Sequence, residues 1–287
     1  MNKTIKCLVC EQNISPINIR SFQDEINLCK CPECKTEFLY PQPSQIQLDQ
    51  CYKNYFNKRS TQFKKTKVPH FEKLIESLNI DLNYKRILEV GCGEGDFIRA
   101  VKNKFPHAQC TAVEKNNENI DYMKDVECKH LNQSIEEFLH LSEHEKYDYV
   151  FMFDVIEHLT NPTNVIQELF NMKISSGGFL IMTFPNPNTL SRKTLGKFWP
   201  QYKMEHLFYI QENGLSAITN HLSLTLIKIL PLKKYLPISY LLSVGSHFGP
   251  ELLQALTSKI ARLIPQWLQK KSISLKLGES IAVIKNK

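Results

Sequence analysis

Apolar residues recur along this chain in two alternating rhythms. Phe71, Leu74, Ile75 and Leu78 fall three and four positions apart, the stripe of a helix that buries one face. Ile87, Leu88 and Val90 form a short apolar run, as in a strand covered on both sides. Phe97, Ile98 and Val101 return to helical spacing, and Cys110-Thr-Ala-Val-Glu114 is a second short strand. A polar helix is expected near Asn117 to Lys124. Tyr147 to Asp154 reads as a strand, Val165, Ile166, Leu169 and Phe170 as a helix, and Phe179 to Phe184 as a strand after a Ser175–Gly178 turn. Leu222–Leu230 and Glu279–Lys285 supply two more strands. Strand and helix in alternation predict an α/β fold around a parallel sheet.

The connection after the first of these strands carries the chemistry. Gly91, Gly93 and Gly95 follow Val90 at once, before the helix of Phe97. Glycine permits a sharp turn and lets a ligand lie against bare backbone. The spacing is G-x-G-x-G, so Asp96 stands where the third glycine of a dinucleotide loop would be, and no lysine suits a phosphate-cradling loop. Glu114 ends the next strand, about 20 residues on, where a carboxylate can hold ribose hydroxyls.

Strand, glycine loop and carboxylate together resemble the class I S-adenosylmethionine (SAM) methyltransferases. The resemblance implies a Rossmann-like seven-stranded sheet with its last strand antiparallel. It places the cofactor on Glu89, Gly91, Gly93, Gly95 and Asp154, with its ribose on Glu114. Adenine belongs near Ser134 and Ile135; the usual acid is missing there, so Asn132, Gln133 or Ser134 must serve. Asp154-Val-Ile-Glu157-His158 and the Gly177-Gly178 pair fit the family's fourth and fifth strands.

Cys7-Leu-Val-Cys10 and Cys31-Pro-Glu-Cys34 are two C-x-x-C pairs about 20 residues apart, the pattern of a four-thiolate zinc site. A closed set of four sulfurs is structural. Cys29 is the alternative to Cys31. Residues 1–43 resemble the zinc-binding head of certain sugar C-methyltransferases, except that Glu11 and Lys35 stand where glycine often follows each pair. Residues 44–84 form a helical linker whose Tyr52, Tyr55 and Phe56 either cover the cofactor or pack the linker. Residues 85–287 form the methyltransferase domain, with a helical cap around 231–278.

Composition narrows the partners. Among 287 residues, 42% are hydrophobic, enough for a large core, and the net charge is +7. The lysines are scattered, which gives no groove for nucleic acid. Nine cysteines without a secretory signal point to a reducing, cytoplasmic compartment. The uncharged stretch from Tyr235 to Pro250 is too short and too broken by proline to span a membrane. The amphipathic stretch 251–268 fits either a cap or peripheral membrane contact.

Methyl transfer requires a nucleophile stripped of its proton, and histidine suits that task near neutral pH. His206, with Glu205 orienting it or binding the acceptor, is the expected general base; His158 is the alternative. The expected reaction is SAM-dependent methylation of a small molecule, O-methylation before C-methylation, on a sugar, quinone precursor or lipid-like metabolite. The rival reading is a non-catalytic protein of the same fold whose zinc head contacts a partner or nucleic acid.

Overall fold

The computed structural model describes residues 4–23, 25–57, 64–116, 120–141, 145–239, 241–242, 251–269 and 271–286. It opens with five short strands, β1 (Ile5–Lys6), β2 (Asn13–Ile14), β3 (Ile17–Gln23), β4 (Ile26–Lys30) and β5 (Glu37–Tyr40). Two helices follow, α1 (Gln45–Asn57) and α2 (Lys64–Leu78). The alternation then begins: β6 (Arg86–Val90), α3 (Asp96–Lys104), β7 (Gln109–Val113), α4 (Ile120–Met123), β8 (Lys129–Leu131), α5 (Ile135–Leu139) and β9 (Tyr147–Met152). It continues through α6 (Pro162–Glu168), β10 (Ile174–Pro185), α7 (Leu190–Leu195), β11 (Phe208–Tyr209), α8 (Glu212–His221), β12 (Thr225–Pro231), β13 (Lys234–Pro237), β14 (Ser272–Leu275) and β15 (Glu279–Lys285).

Seven strands form one sheet in the order β12-β15-β10-β9-β6-β7-β8. Strands β6 to β10 run parallel within it. The last strand, β15, lies antiparallel to both β10 and β12. Ile87, Leu88, Ala112, Val150 and Phe151 are wholly buried, because helices cover both faces of a parallel sheet. The stripe of α2 packs on one face, where Phe71 meets Phe97 and Phe153 at ring separations of 5.6 and 5.2 Å.

Two expectations change. Ser175 to Gly178 lie inside β10 as an irregularity in its pairing with β9, not in a turn before it. The 231–278 region is not purely helical: β13 and β14 pair antiparallel on either side of the helix Glu251–Leu263. Of the helix expected near 117–124, Asn117 to Asn119 lie outside the described residues and Ile120–Met123 is helical. Among the described residues, no helix is long and apolar enough to cross a membrane.

The cysteine-bearing head is fused to the sheet domain. Strand β11, from the domain, pairs with β5 of the head, Phe208 opposite Phe38. Thr163 at the start of α6 donates to the Leu8 and Val9 carbonyls at 2.9 and 3.2 Å. Cys7, Cys10, Cys31 and Cys34 share one continuous core with Leu207, Phe208, Leu215 and Ile218.

Candidate active site

The chain runs from β6 outward to β7 and β8, then returns to place β9 on the other side of β6. That reversal opens a crevice at the carboxyl ends of β6 and β9, where open α/β sheets bind ligands. The glycine loop leaves β6 there and the Asp154–His158 segment leaves β9.

All three loop glycines have positive φ, at 72°, 54° and 78° for Gly91, Gly93 and Gly95. Their reasons differ. A Cβ on Gly91 would stand 2.5 Å from Val155 Cγ2, so Gly91 lets the two loops touch. A Cβ on Gly95 would strike Met123. A Cβ on Gly93 would meet nothing within 4 Å and project into open space. Gly93 is thus the loop position whose backbone is left bare on its Cβ side. Its amide donates to Glu114 Oε2 at 2.8 Å, while Glu114 Oε1 accepts from the Asn116 amide at 2.8 Å. The Glu114 carboxylate is therefore folded against the glycine loop, as a ribose-binding acid would need. Beneath them Glu89 is buried, with Oε2 lacking a hydrogen-bond partner. Burial, reinforced by Asp96 and Glu114, pushes its carboxyl well above the usual carboxylate range. The bare Gly93 backbone beside the Glu114 carboxylate fits a ligand that offers a sugar.

On the expected adenine side, the sequence reading of Ser134 missed a capping box. The Ser134 hydroxyl accepts from the Glu137 amide at 3.2 Å, and its own amide donates to Glu137 Oε2 at 2.7 Å. The S-x-x-E spacing is its signature. Ile135 is buried. Gln133 donates its amide to the Glu114 carbonyl at 3.1 Å and keeps a buried Oε1 without a partner. The side chains of Tyr52, Tyr55 and Phe56 lie outside the described residues.

After β9 the backbone of Asp154 takes φ 55°. Thr183, which the sequence did not single out, holds it there: Thr183 Oγ1 accepts from the Asp154 amide and donates to Asp154 Oδ1, both at 2.9 Å. His158 follows on a single 3₁₀ turn. His206 reaches the same place from the segment before β11, and the two rings meet edge to face with centroids 4.9 Å apart. The Glu205 contribution comes through its backbone: its carbonyl accepts from His158 Nδ1 at 2.8 Å. Burial holds His206 well below the ordinary histidine range, with His158 and Lys203 adding to it. A neutral ring results.

At the head, the sulfurs of Cys7, Cys10, Cys31 and Cys34 lie within 4.8 Å of one another, all buried. The Cys7–Cys34 and Cys10–Cys31 sulfurs are each 3.8 Å apart. Four sulfurs about 2.3 Å from a zinc ion form a tetrahedron with edges of about 3.8 Å, so the donor set fits zinc. Each pair closes the same turn: Glu11 donates to the Cys7 carbonyl at 2.9 Å and Lys35 to that of Cys31 at 3.1 Å. Glu11 and Lys35 adopt φ 62° and 63°, the left-handed conformation a glycine would take. Cys29 points into the core from β4, opposite Phe38, outside the four-sulfur group.

Two wide surface clefts lie elsewhere. One is lined by Arg99, Lys102 and Asp125, the other by Tyr84, His107 and Glu145, and neither touches these groups.

The family described as a methyltransferase domain matches residues 57–229. The chain is similar to the mitochondrial ubiquinone biosynthesis O-methyltransferase of Candida albicans, 26% identical over 151 residues, covering 50% of this chain and 43% of that protein. It is similar to malonyl-acyl-carrier-protein O-methyltransferase 1 of Ilyobacter polytropus, 23% identical over 137 residues, covering 47% of this chain and 51% of that protein. The chain thus spans about half the length of these curated relatives. Among solved structures it resembles a SAM-dependent methyltransferase of Thermotoga maritima, with TM-score 0.51, 12% identity, 84% of this chain and 98% of that one. Identity that low speaks to the fold alone.

Proposed function

The chain belongs to the methyltransferase-domain family, and from that premise we propose that it transfers the methyl group of SAM to a small-molecule acceptor. An acceptor hydroxyl is favoured, a carbon second, on a sugar, a quinone precursor or a lipid-like metabolite. The observation that carries the reading is the open backbone at Gly93 with the Glu114 carboxylate 2.8 Å from its amide. When bound, SAM supplies a methyl group already activated on a sulfonium.

The chain's own residues do the rest. Gly91, Gly93 and Gly95 form the floor under the methionine part, and the buried Glu89 carboxyl below them answers its polar end. Glu114 takes the ribose hydroxyls. The segment 132–135 faces adenine, with the unpartnered Gln133 Oε1 available as acceptor. Asp154, pinned by Thr183, borders the crevice from the other loop. His158 and His206 stand on the acceptor side and assist removal of its proton. Because transfer is an in-line displacement, positioning supplies most of the acceleration.

Cys7, Cys10, Cys31 and Cys34 hold one structural zinc in this reading. The pairing of β11 with β5 occupies one edge of the head's sheet, which argues against the head as a free binding module. Leu256, Leu263 and Trp267 are exposed on 251–268 and support contact with a lipid surface. Sedimentation with anionic vesicles tests that contact, and a protein that stays in the supernatant contradicts it.

The experiment for the acceptor side is His206→Ala, with SAM binding and single-turnover methylation measured in parallel against a metabolite screen with labelled SAM. SAM affinity should hold while transfer falls by about 10²- to 10⁴-fold. Unchanged transfer removes His206 from the reaction and moves the role to His158.

A further inference from the structure

Glu157, His158 and His206 bring one ligating atom each to within 4.8 Å of the others. Two of the three are almost wholly buried, Glu157 at 2% and His206 at 4% exposure. Glu157 Oε2 and His206 Nδ1 are each buried without a hydrogen-bond partner. A buried polar atom left unpaired is costly, and here two belong to residues of the same cluster.

The third group is prepared in the same sense. His158 Nδ1 contacts the Glu205 carbonyl at 2.8 Å. A carbonyl can only accept, so Nδ1 carries the proton and Nε2 presents a lone pair. Histidines that bind metals are oriented in this way, by a carbonyl or carboxylate on the other ring nitrogen. Glu157 is fixed too: its carbonyl accepts from the Leu207 amide at 2.7 Å, which ties the 3₁₀ turn to the residue after His206. The nearby cationic Lys234 is already answered by Glu279, at 2.5 Å, and by Asp154, at 3.7 Å.

We propose that Glu157, His158 and His206 bind a divalent transition-metal cation at the acceptor side of the crevice. Two imidazoles and one carboxylate suit zinc, iron, cobalt or manganese better than magnesium or calcium, which prefer all-oxygen sites. Three protein ligands leave a position open for an exogenous oxygen. The inference deepens the methyltransferase reading: a hydroxyl entering that position would lose its proton to water more readily, and its oxygen pair would bond the methyl carbon as the methyl–sulfur bond breaks and the sulfur leaves with that electron pair as a neutral thioether. His206 then acts through the cation it holds.

The test uses the full chain with its cysteine site filled by zinc beforehand. Cobalt(II) chloride is titrated in and bound cobalt measured by equilibrium dialysis. One cobalt per chain is expected beyond the zinc, with an X-ray absorption edge showing nitrogen and oxygen neighbours. Glu157→Gln and His206→Gln should each weaken uptake by at least about tenfold, while His107→Gln, at a ring that stacks on Tyr84 before the start of β7, should not. No uptake beyond the zinc, a sulfur-rich cobalt environment, or equal uptake in the two cluster variants overturns the proposal. SAM titration of the same samples separates the two readings: lost SAM binding with intact cobalt uptake indicts the methyltransferase reading, and the converse indicts the metal site.

Discussion

The amide of Leu39, in the cysteine-bearing head, donates to the carbonyl of Leu207, the residue after His206, at 3.0 Å. Leu207 in turn donates to the Glu157 carbonyl at 2.7 Å. A continuous backbone path therefore joins the head to the turn that carries His158. The head is thus tied to the segments that carry His158 and His206, whereas the glycine loop is held by β6, β7 and Val155.

That union has a thermodynamic consequence. Because the four cysteines share a core with β11 and α8, the head cannot melt by itself. Calorimetry with and without a zinc chelator should show one cooperative transition, displaced to lower temperature when metal is removed. A separate low-temperature transition that leaves the main one unmoved would contradict the shared core.

Lys35 closes the second cysteine turn in the left-handed conformation. Its φ of 63° disfavours a side chain by about 1 kcal/mol, and more for a β-branched one. In zinc-loaded protein, Lys35→Gly should be neutral or stabilising by up to about 1 kcal/mol, and Lys35→Val destabilising by more than about 1 kcal/mol. Thermal unfolding of the two variants decides it; equal stability contradicts the turn geometry.

Much of this was readable in the sequence, for physical reasons. Ile87–Val90, Cys110–Val113 and Tyr147–Met152 stand out because central parallel strands are buried on both faces. The glycine loop and Glu114 are local, so spacing reveals them. Glu11 and Lys35 concealed their turns, since nothing in their side chains announces a left-handed backbone. Strands β13 and β14 have four residues each, and their pairing spans the long stretch between them. Thr183 looks like an ordinary strand residue until Asp154 folds onto it. The meeting of Glu157 with His206 depends on how the β9 and β11 connections cross, which no periodicity records.

His70 sets an acid limit on stability. Burial, with Lys234 next, lowers its pKa from 6.5 to about 4. In the unfolded chain the ring takes up a proton below about pH 6.5, whereas in the folded protein it stays neutral down to about pH 4. The unfolded state then binds more protons, so stability falls as pH drops across that window and is unaffected above it. Urea unfolding between pH 8 and pH 4.5 should show this loss, and His70→Gln should make it shallower, the other buried histidines keeping their share. An identical pH profile in the variant would remove His70 from the account.

The central claim is that the crevice at the carboxyl ends of β6 and β9, bordered by the glycine loop and Glu114, holds SAM. Isothermal titration of SAM into the wild-type protein, Glu114→Ala, Gly93→Ala and Gly177→Ala tests it most directly. Gly177 is the control: it too has positive φ, 75°, and open space around a Cβ, so it shares the backbone strain without facing the crevice. The account predicts binding to wild type and Gly177→Ala, and marked weakening in Gly93→Ala and Glu114→Ala. Equal affinity in all four proteins, or no binding to any, would contradict it.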